Sequence, residues 1–299
     1  MSLKLIKKSY KKDIISSGLF SECEINMYCS DLVFEKHSFY LQLPSLFKPL
    51  FVDITEKKIE NISNIAYLYF RALLALDTVI DDNNILNIKL SLYNYELATK
   101  KINLLYSENS EIWSEFNLIK SQFFEGVKLE NSLDFESGLP DYNKFEYLAK
   151  SKSIFILLIP KMLSYSSSCF DYLKQLEQSL LSLHIGLQML DDINDFLVDI
   201  DKSQVTYVNT SSRNQLRDLG VEIDLISNEE FYKYYIASGI VLEHLNIAEN
   251  KFNIALKCVE ELPIIDYKKY IYTLGHQQVK EKREVISKCL NSAKMKSKK

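Results

Sequence analysis

Apolar residues recur at steps of three and four through most of this chain, and in two stretches they surround the polar positions instead of sharing the helix with them. From His184 to Tyr207 the sequence reads HIGLQMLDDINDFLVDIDKSQVTY. On a helix, His184, Gln188, Asp191 or Asp192, Asp195 and Asp199 fall on a single polar stripe. Ile185, Leu187, Met189, Leu190, Ile193, Phe196, Leu197, Val198 and Ile200 occupy the other faces. An ordinary surface helix has the reverse pattern, a narrow apolar stripe turned inward. The spacing therefore predicts a buried helix whose carboxylates line an internal space. Such a row repels itself and loses solvation, a cost that cations would cancel by taking the oxygens as ligands. A solvated acidic face at the mouth of a bundle is the alternative.

The second stretch follows Asn61 and reads ISNIAYLYFRALLALDTVIDDNN, a long helix without a breaker. Its polar exceptions include Arg71, Asp77, Asp81 and Asp82. Asp77 and Asp81, four residues apart, share a face that Phe70, Leu73 and Leu74 continue one and two turns earlier. Arg71 is roughly a third of a turn off that face and lines up better with Asp82. It fits either the site or an ion pair at its rim.

Around these stretches the pattern predicts short helices and turns over residues 1–60, one or two amphipathic helices over 85–123, and a break near Gly138 and Pro140. A largely apolar helix then runs from Tyr142 and is bent or stopped at Pro160. Lys152 in that helix reads as a snorkelling lysine rather than an anion ligand. Ser227 with Glu230 forms a capping box opening a helix in which Gly239 permits a kink. A last pair spans about 250–261 and 266–290. With no alternating strands or hairpin turns, the fold class is all-α, a single-domain helical bundle over 1–299 with a central hydrophobic cavity and flexible basic termini, about 1–12 and 291–299.

Composition narrows the function. The 299 residues carry a net charge of -4, which argues against nucleic acid as a main partner. No apolar run approaches a membrane span, and the N-terminal MSLKLIKKSYKKD lacks a signal-peptide core. Five cysteines without a CxxC fit free thiols in a reducing, cytoplasmic setting. The lysine-rich ends read as solvated, with weak contact to a membrane surface left open. Gly-rich phosphate loops, GxSxG, HExxH and Glu-x-x-His pairs are all missing.

What remains is two helices offering carboxylates at a four-residue step, DTVID and DFLVD. Hard oxygen ligands of this kind suit Mg²⁺, which keeps waters and shares phosphate oxygens with a substrate. A Mg²⁺ cluster between facing helices would hold a diphosphate and stabilise its charge as a leaving group, while apolar and aromatic walls sheltered the carbocation left behind.

Four segments carry a resemblance. SFYLQLPSL at 38–46, RALLALDTVIDD at 71–82, GLQMLDDINDFLVD at 186–199 and TYVNTSSRNQLRDLGV at 206–221 resemble, in order, motifs of the squalene/phytoene synthase family within the class I isoprenoid synthases. That resemblance implies an all-α enzyme binding Mg²⁺ and prenyl diphosphates. Asp77 and Asp81 match its first DxxxD, Asp195 and Asp199 its second, and Gln188 a glutamine before it. The chain departs from the family in having Ser203 and Gln204 where a Gly-Arg is usual. YLAKSKSIF and DDIND look more like chain-elongating prenyl diphosphate synthases, yet no basic segment for a second diphosphate is present, as in terpene cyclases.

The leading expectation is a Mg²⁺-dependent class I terpene synthase that ionises one prenyl diphosphate and guides the carbocation to a terpene. Head-to-head condensation of two prenyl diphosphates, chain elongation, and a non-catalytic bundle are the alternatives. Asp77, Asp81, Asp195 and Asp199 are the expected catalytic metal ligands, with Asp82, Asp191 and Asp192 supporting them. Ser38, Phe39, Phe70, Arg71, Gln188, Lys202 and Tyr207 are the expected substrate contacts, and the protein is expected to be a monomer or homodimer.

Overall fold

A computed structural model describes residues 3–36, 38–81, 84–133 and 141–296, and none of these is in a strand. By contacts the chain forms two compact units, Met1–Ile119 with Phe155–Lys174, and Lys120–Ile154 with Gln175–Lys299.

In the first unit, α1 (Leu3–Ser17), α2 (Glu22–Tyr28), α3 (Asp31–Lys36) and α4 (Ser38–Phe47) precede the long α5 (Glu56–Asp81) and α6 (Asn87–Asn103). The basic N-terminal segment expected to be loose is helical from Leu3 because Ile6, Tyr10 and Ile14 give α1 a buried face. The α5 backbone is buried on nearly all faces from Ile59 to Ala75 and opens in its last turn, where Ile80 is 39% exposed. Ser91 of α6 donates its hydroxyl to the Ala72 carbonyl at 2.8 Å, and Asn87 donates its side-chain amide to Thr78 at 2.7 Å, so α6 is fastened along α5. Helix α7 (Ile112–Glu130) belongs to the first unit up to Ile119 and to the second beyond it.

The second unit holds α8 (Tyr142–Ser153). The segment after it was expected to bend at Pro160; instead a 3-10 turn, Ile154–Leu157, separates α8 from α9 (Leu158–Ser167) of the first unit. Pro160 sits in the first turn of α9, where a missing N–H costs no helical hydrogen bond. The expected break at Gly138 and Pro140 lies outside the described residues. Helix α10 (Leu173–Asn194) leads through a bend into α11 (Phe196–Asp201) and α12 (Tyr207–Asp218).

The Ser227–Glu230 capping box opens α13 (Asn228–Ala237), and the expected kink at Gly239 is a full break. Gly239 adopts φ +87 and starts α14 (Ile240–Cys258), a backbone state that side chains disfavour. The chain ends in α15 (Ile265–Ile271), a π-helical turn Tyr272–Gln277, and α16 (Gln278–Lys296). No described helix is long and apolar enough to cross a membrane.

Phe252 of α14 fixes the packing of this unit. Fully buried, its ring fills the space left by two missing side chains: a Cβ on Gly186 of α10 would come within 2.4 Å of it, and one on Gly275 of the π-turn within 2.5 Å. Ordinary helix propensity favours alanine over glycine by about 1 kcal/mol, whereas forcing a methyl into a filled core costs about 1–3 kcal/mol. Gly186→Ala is therefore expected to lower the denaturant midpoint despite its better propensity, with a net loss of up to about 2 kcal/mol; a raised midpoint contradicts this packing.

Candidate active site

The acidic row of the second unit is built by α10 running into α11. Leu183, Ile185, Met189, Leu190 and Ile193 are buried, so the second half of α10 is enclosed on most faces, as its pattern requires. The helix was expected to continue unbroken to Ile200; it bends at Asp195, which adopts φ -93 and ψ 9. Backbone bonding nevertheless bridges the bend, from the Asp195 N–H to the Asp191 carbonyl and from the Asp199 N–H to the Asp195 carbonyl, both at 2.8 Å. The four aspartates thus remain one row. Phe196 anchors the turn by stacking on Tyr235 at 4.3 Å between centroids.

Within the row, Asp192 and Asp199 are each 7% exposed, while Asp191 and Asp195 are open. Burial pushes the Asp192 carboxyl up to about 8; Asp199 and Asp191 add to the rise, and the amide that Gln188 donates at 2.8 Å opposes it. Burial likewise raises Asp199 to about 7, reinforced by Asp195 and Asp191 and countered by Lys202 and Lys152. The expected hierarchy is therefore rearranged. Asp192, read from sequence as supporting, is one of the two enclosed carboxylates, and Asp195, read as primary, faces solvent. His184 is buried with its Nδ1–H directed at the Leu180 carbonyl at 2.9 Å, a hydrogen-bonded spacer.

Two cations join this row. Lys152, read from sequence as a snorkelling side chain, bonds Glu130 at 3.0 Å and acts electrostatically on both buried aspartates. Lys282 of α16 bonds the Asn194 side chain and senses the charge of Asp195. Nothing in its lysine-rich segment marked it, because 88 residues separate it from Asn194. Lys202 caps the end of α11.

Ser203 follows with φ +57, a left-handed backbone state. The resemblance has glycine here, and the turn keeps the glycine geometry while bearing a side chain. Tyr207 opens α12 and packs among Tyr142, Phe145 and His244, with ring centroids at 5.8, 5.3 and 5.7 Å.

In the first unit, Phe70 stacks on Tyr40 at 3.9 Å, which seats the α4 segment containing the half-buried Ser38 and the buried Phe39 on α5. Asp77 is half-buried, but Leu74, expected in the apolar floor, is 36% exposed. The Asp81 side chain and the whole of Asp82 lie outside the described residues. Arg71 occupies neither a rim nor an ion pair: it is 6% exposed beside Tyr10 and Tyr67.

Among the described residues no group of three or more His, Cys, Asp or Glu side chains is gathered tightly enough to hold a metal ion by itself. The donor chemistry of the row still fits a hard divalent cation. Its members are carboxylates whose charges raise the proton affinity of the two buried ones, Asp192 and Asp199, and Mg²⁺ uses few protein ligands and completes its shell with water and phosphate.

No family model matches the chain, and no curated protein matches it in sequence. Solved structures do. The apo Arabidopsis medium/long-chain length prenyl pyrophosphate synthase aligns with a TM-score of 0.69 at 16% identity, covering 93% of this chain and 98% of that one. The chain shares its fold. The octaprenyl pyrophosphate synthase of Helicobacter pylori gives 0.65 at 19% identity, covering 90% and 98%. The heptaprenyl diphosphate synthase of Staphylococcus aureus gives 0.69 at 14%, covering 92% and 98%.

Two outcomes follow from the row. A carboxylate whose folded-state affinity for protons is raised stabilises the fold below its folded pKa and loses that contribution as pH rises from about 4 to about 8. In chelator, stability should fall over that window, and Asp192→Asn should flatten the slope and raise the melting temperature at pH 8; an unchanged slope contradicts the burial. Ser203→Gly should stabilise by about 0.5–1 kcal/mol in a denaturant titration, through relief of the left-handed side chain; a loss would show that the serine is used.

Proposed function

We propose that the protein is a Mg²⁺-dependent enzyme acting on prenyl diphosphates, and that its reaction is chain elongation. The observation that carries this reading is the pair of enclosed carboxylates, Asp192 at the end of α10 and Asp199 in α11, in a fold shared with prenyl pyrophosphate synthases. The three structures described above are named as prenyl pyrophosphate, octaprenyl pyrophosphate and heptaprenyl diphosphate synthases, which favours elongation over the cyclisation expected from sequence. Lys152 adds support, since its stretch resembles the Lys-Ser/Thr segment of elongating enzymes and it acts on the same two aspartates.

On this reading Asp191, Asp192, Asp195 and Asp199 hold Mg²⁺ in the second unit, and Asp77, Asp81 and Asp82 are ligands from α5. When bound, the metal neutralises the charge that diphosphate gains as it leaves. Gln188 keeps the Asp192 carboxylate turned toward the row. Lys152 and Lys202 place positive charge where diphosphate oxygens are held, with Lys282 beside the open end of the row. Tyr207 in the second unit, and Ser38, Phe39 and Phe70 in the first, are each proposed as substrate contacts.

Incubation with ten-, fifteen- and twenty-carbon allylic diphosphates, with Mg²⁺ and with or without isopentenyl diphosphate, tests the reaction by mass spectrometry. Elongation gives diphosphates longer by multiples of five carbons, only when isopentenyl diphosphate is present. A hydrocarbon or alcohol with the substrate's carbon count shows cyclisation or quenching, and a doubled count shows head-to-head coupling; either overturns elongation. Asp199→Asn should reduce turnover roughly a hundredfold or more with an unchanged helical spectrum.

A further inference from the structure

Arg71 is a buried cation in the first unit with no anion among the described residues to match it. It is 6% exposed, its Nε has no hydrogen-bond partner, and no ion pair of that unit includes it. A guanidinium is never deprotonated in a protein, so the charge persists. Its neighbours are poorly satisfied polar groups. The Tyr67 hydroxyl, on a side chain 1% exposed, has no hydrogen-bond partner, and the Tyr10 hydroxyl, 3% exposed, has none but the fully buried Asn94 amide beside it. Arg71 acts electrostatically on both phenols; the two rings meet edge to face at 5.4 Å, and Asn94 lies against Tyr10. Three helices supply these groups: α1 Tyr10, α5 Tyr67 and Arg71 one turn apart, and α6 Asn94.

We propose that this nest is a binding site for a small monovalent anion, of which chloride is the common example. Buried polar atoms are nearly always satisfied and buried charges nearly always compensated. Water would satisfy the hydroxyls but leave the guanidinium charge uncompensated. The protein cannot provide the counter-charge from its own side chains here: burial pushes Tyr10 up to about 12, raises Tyr67 further, and raises the nearby Cys29 thiol, so all three stay neutral. Guanidinium N–H, two phenolic O–H groups and an amide N–H₂, gathered in one buried neighbourhood, are donors of the kind that bind a small spherical anion. The site ties α1 to α5 and α6, and it is independent of the aspartate row and of the reaction proposed for it.

The full-length protein is melted in sodium chloride from 10 to 500 mM, with sodium gluconate holding ionic strength constant. A site for chloride raises the melting temperature by a few degrees over this range, by mass action on the folded state. Tyr67→Phe, which removes one donor and little volume, should shift the chloride midpoint up by roughly tenfold or more. Arg71→Met should abolish the chloride response. Crystals grown in bromide should show an anomalous peak within hydrogen-bonding distance of Arg71 Nε. Equal melting in chloride and gluconate, or a bromide-free site filled with water, overturns the proposal.

Discussion

The burial of Asp192 and Asp199 is the constraint on which the rest of this structure turns. Two carboxylates about two turns apart, each nearly closed off from solvent and each raised in proton affinity by burial and by neighbouring aspartates of the row, oppose folding when ionised. The surrounding elements hold them there. Apolar faces of α10 enclose the helix, Phe196 locks the bend by stacking on Tyr235, and the backbone bonds across Asp195 prevent the row from splaying. A chain without use for a cation would gain stability by replacing either aspartate with a neutral residue.

Helix periodicity made much of this legible before any coordinates were in hand. The all-α class, the buried character of α5 and α10, and the capping box at Ser227 follow directly from spacing, because a 3.6-residue period and local caps depend only on near neighbours. The hierarchy within the acidic row did not follow. Asp191 and Asp192 differ by one position, and which of them is enclosed depends on what packs around α10, which spacing alone does not reveal. Lys152 and Lys282 were likewise hidden, since what places each beside the row is packing between distant helices. Arg71 was misplaced because helical projection gives an angle but not the partner on the far side, here Tyr10 of α1.

Fold and chemistry contribute separately to the functional reading. Likeness at 14–19% identity establishes the architecture and leaves the reaction to the side chains. Those side chains depart from the squalene/phytoene synthase pattern at Ser203 and Gln204, and Ser203 holds a left-handed backbone in the turn after the row. On the proposed reading, the lysines around the row supply the compensating charge that a bound diphosphate needs.

Calorimetric titration of the protein with Mg²⁺ at pH 7, in two buffers of different ionisation enthalpy, bears most directly on the central claim. If the enclosed aspartates are metal ligands that carry protons in the absence of an ion, saturable binding releases about one proton, and Asp192→Asn reduces that release. Binding with no difference between the buffers, or no saturable binding, would contradict the account.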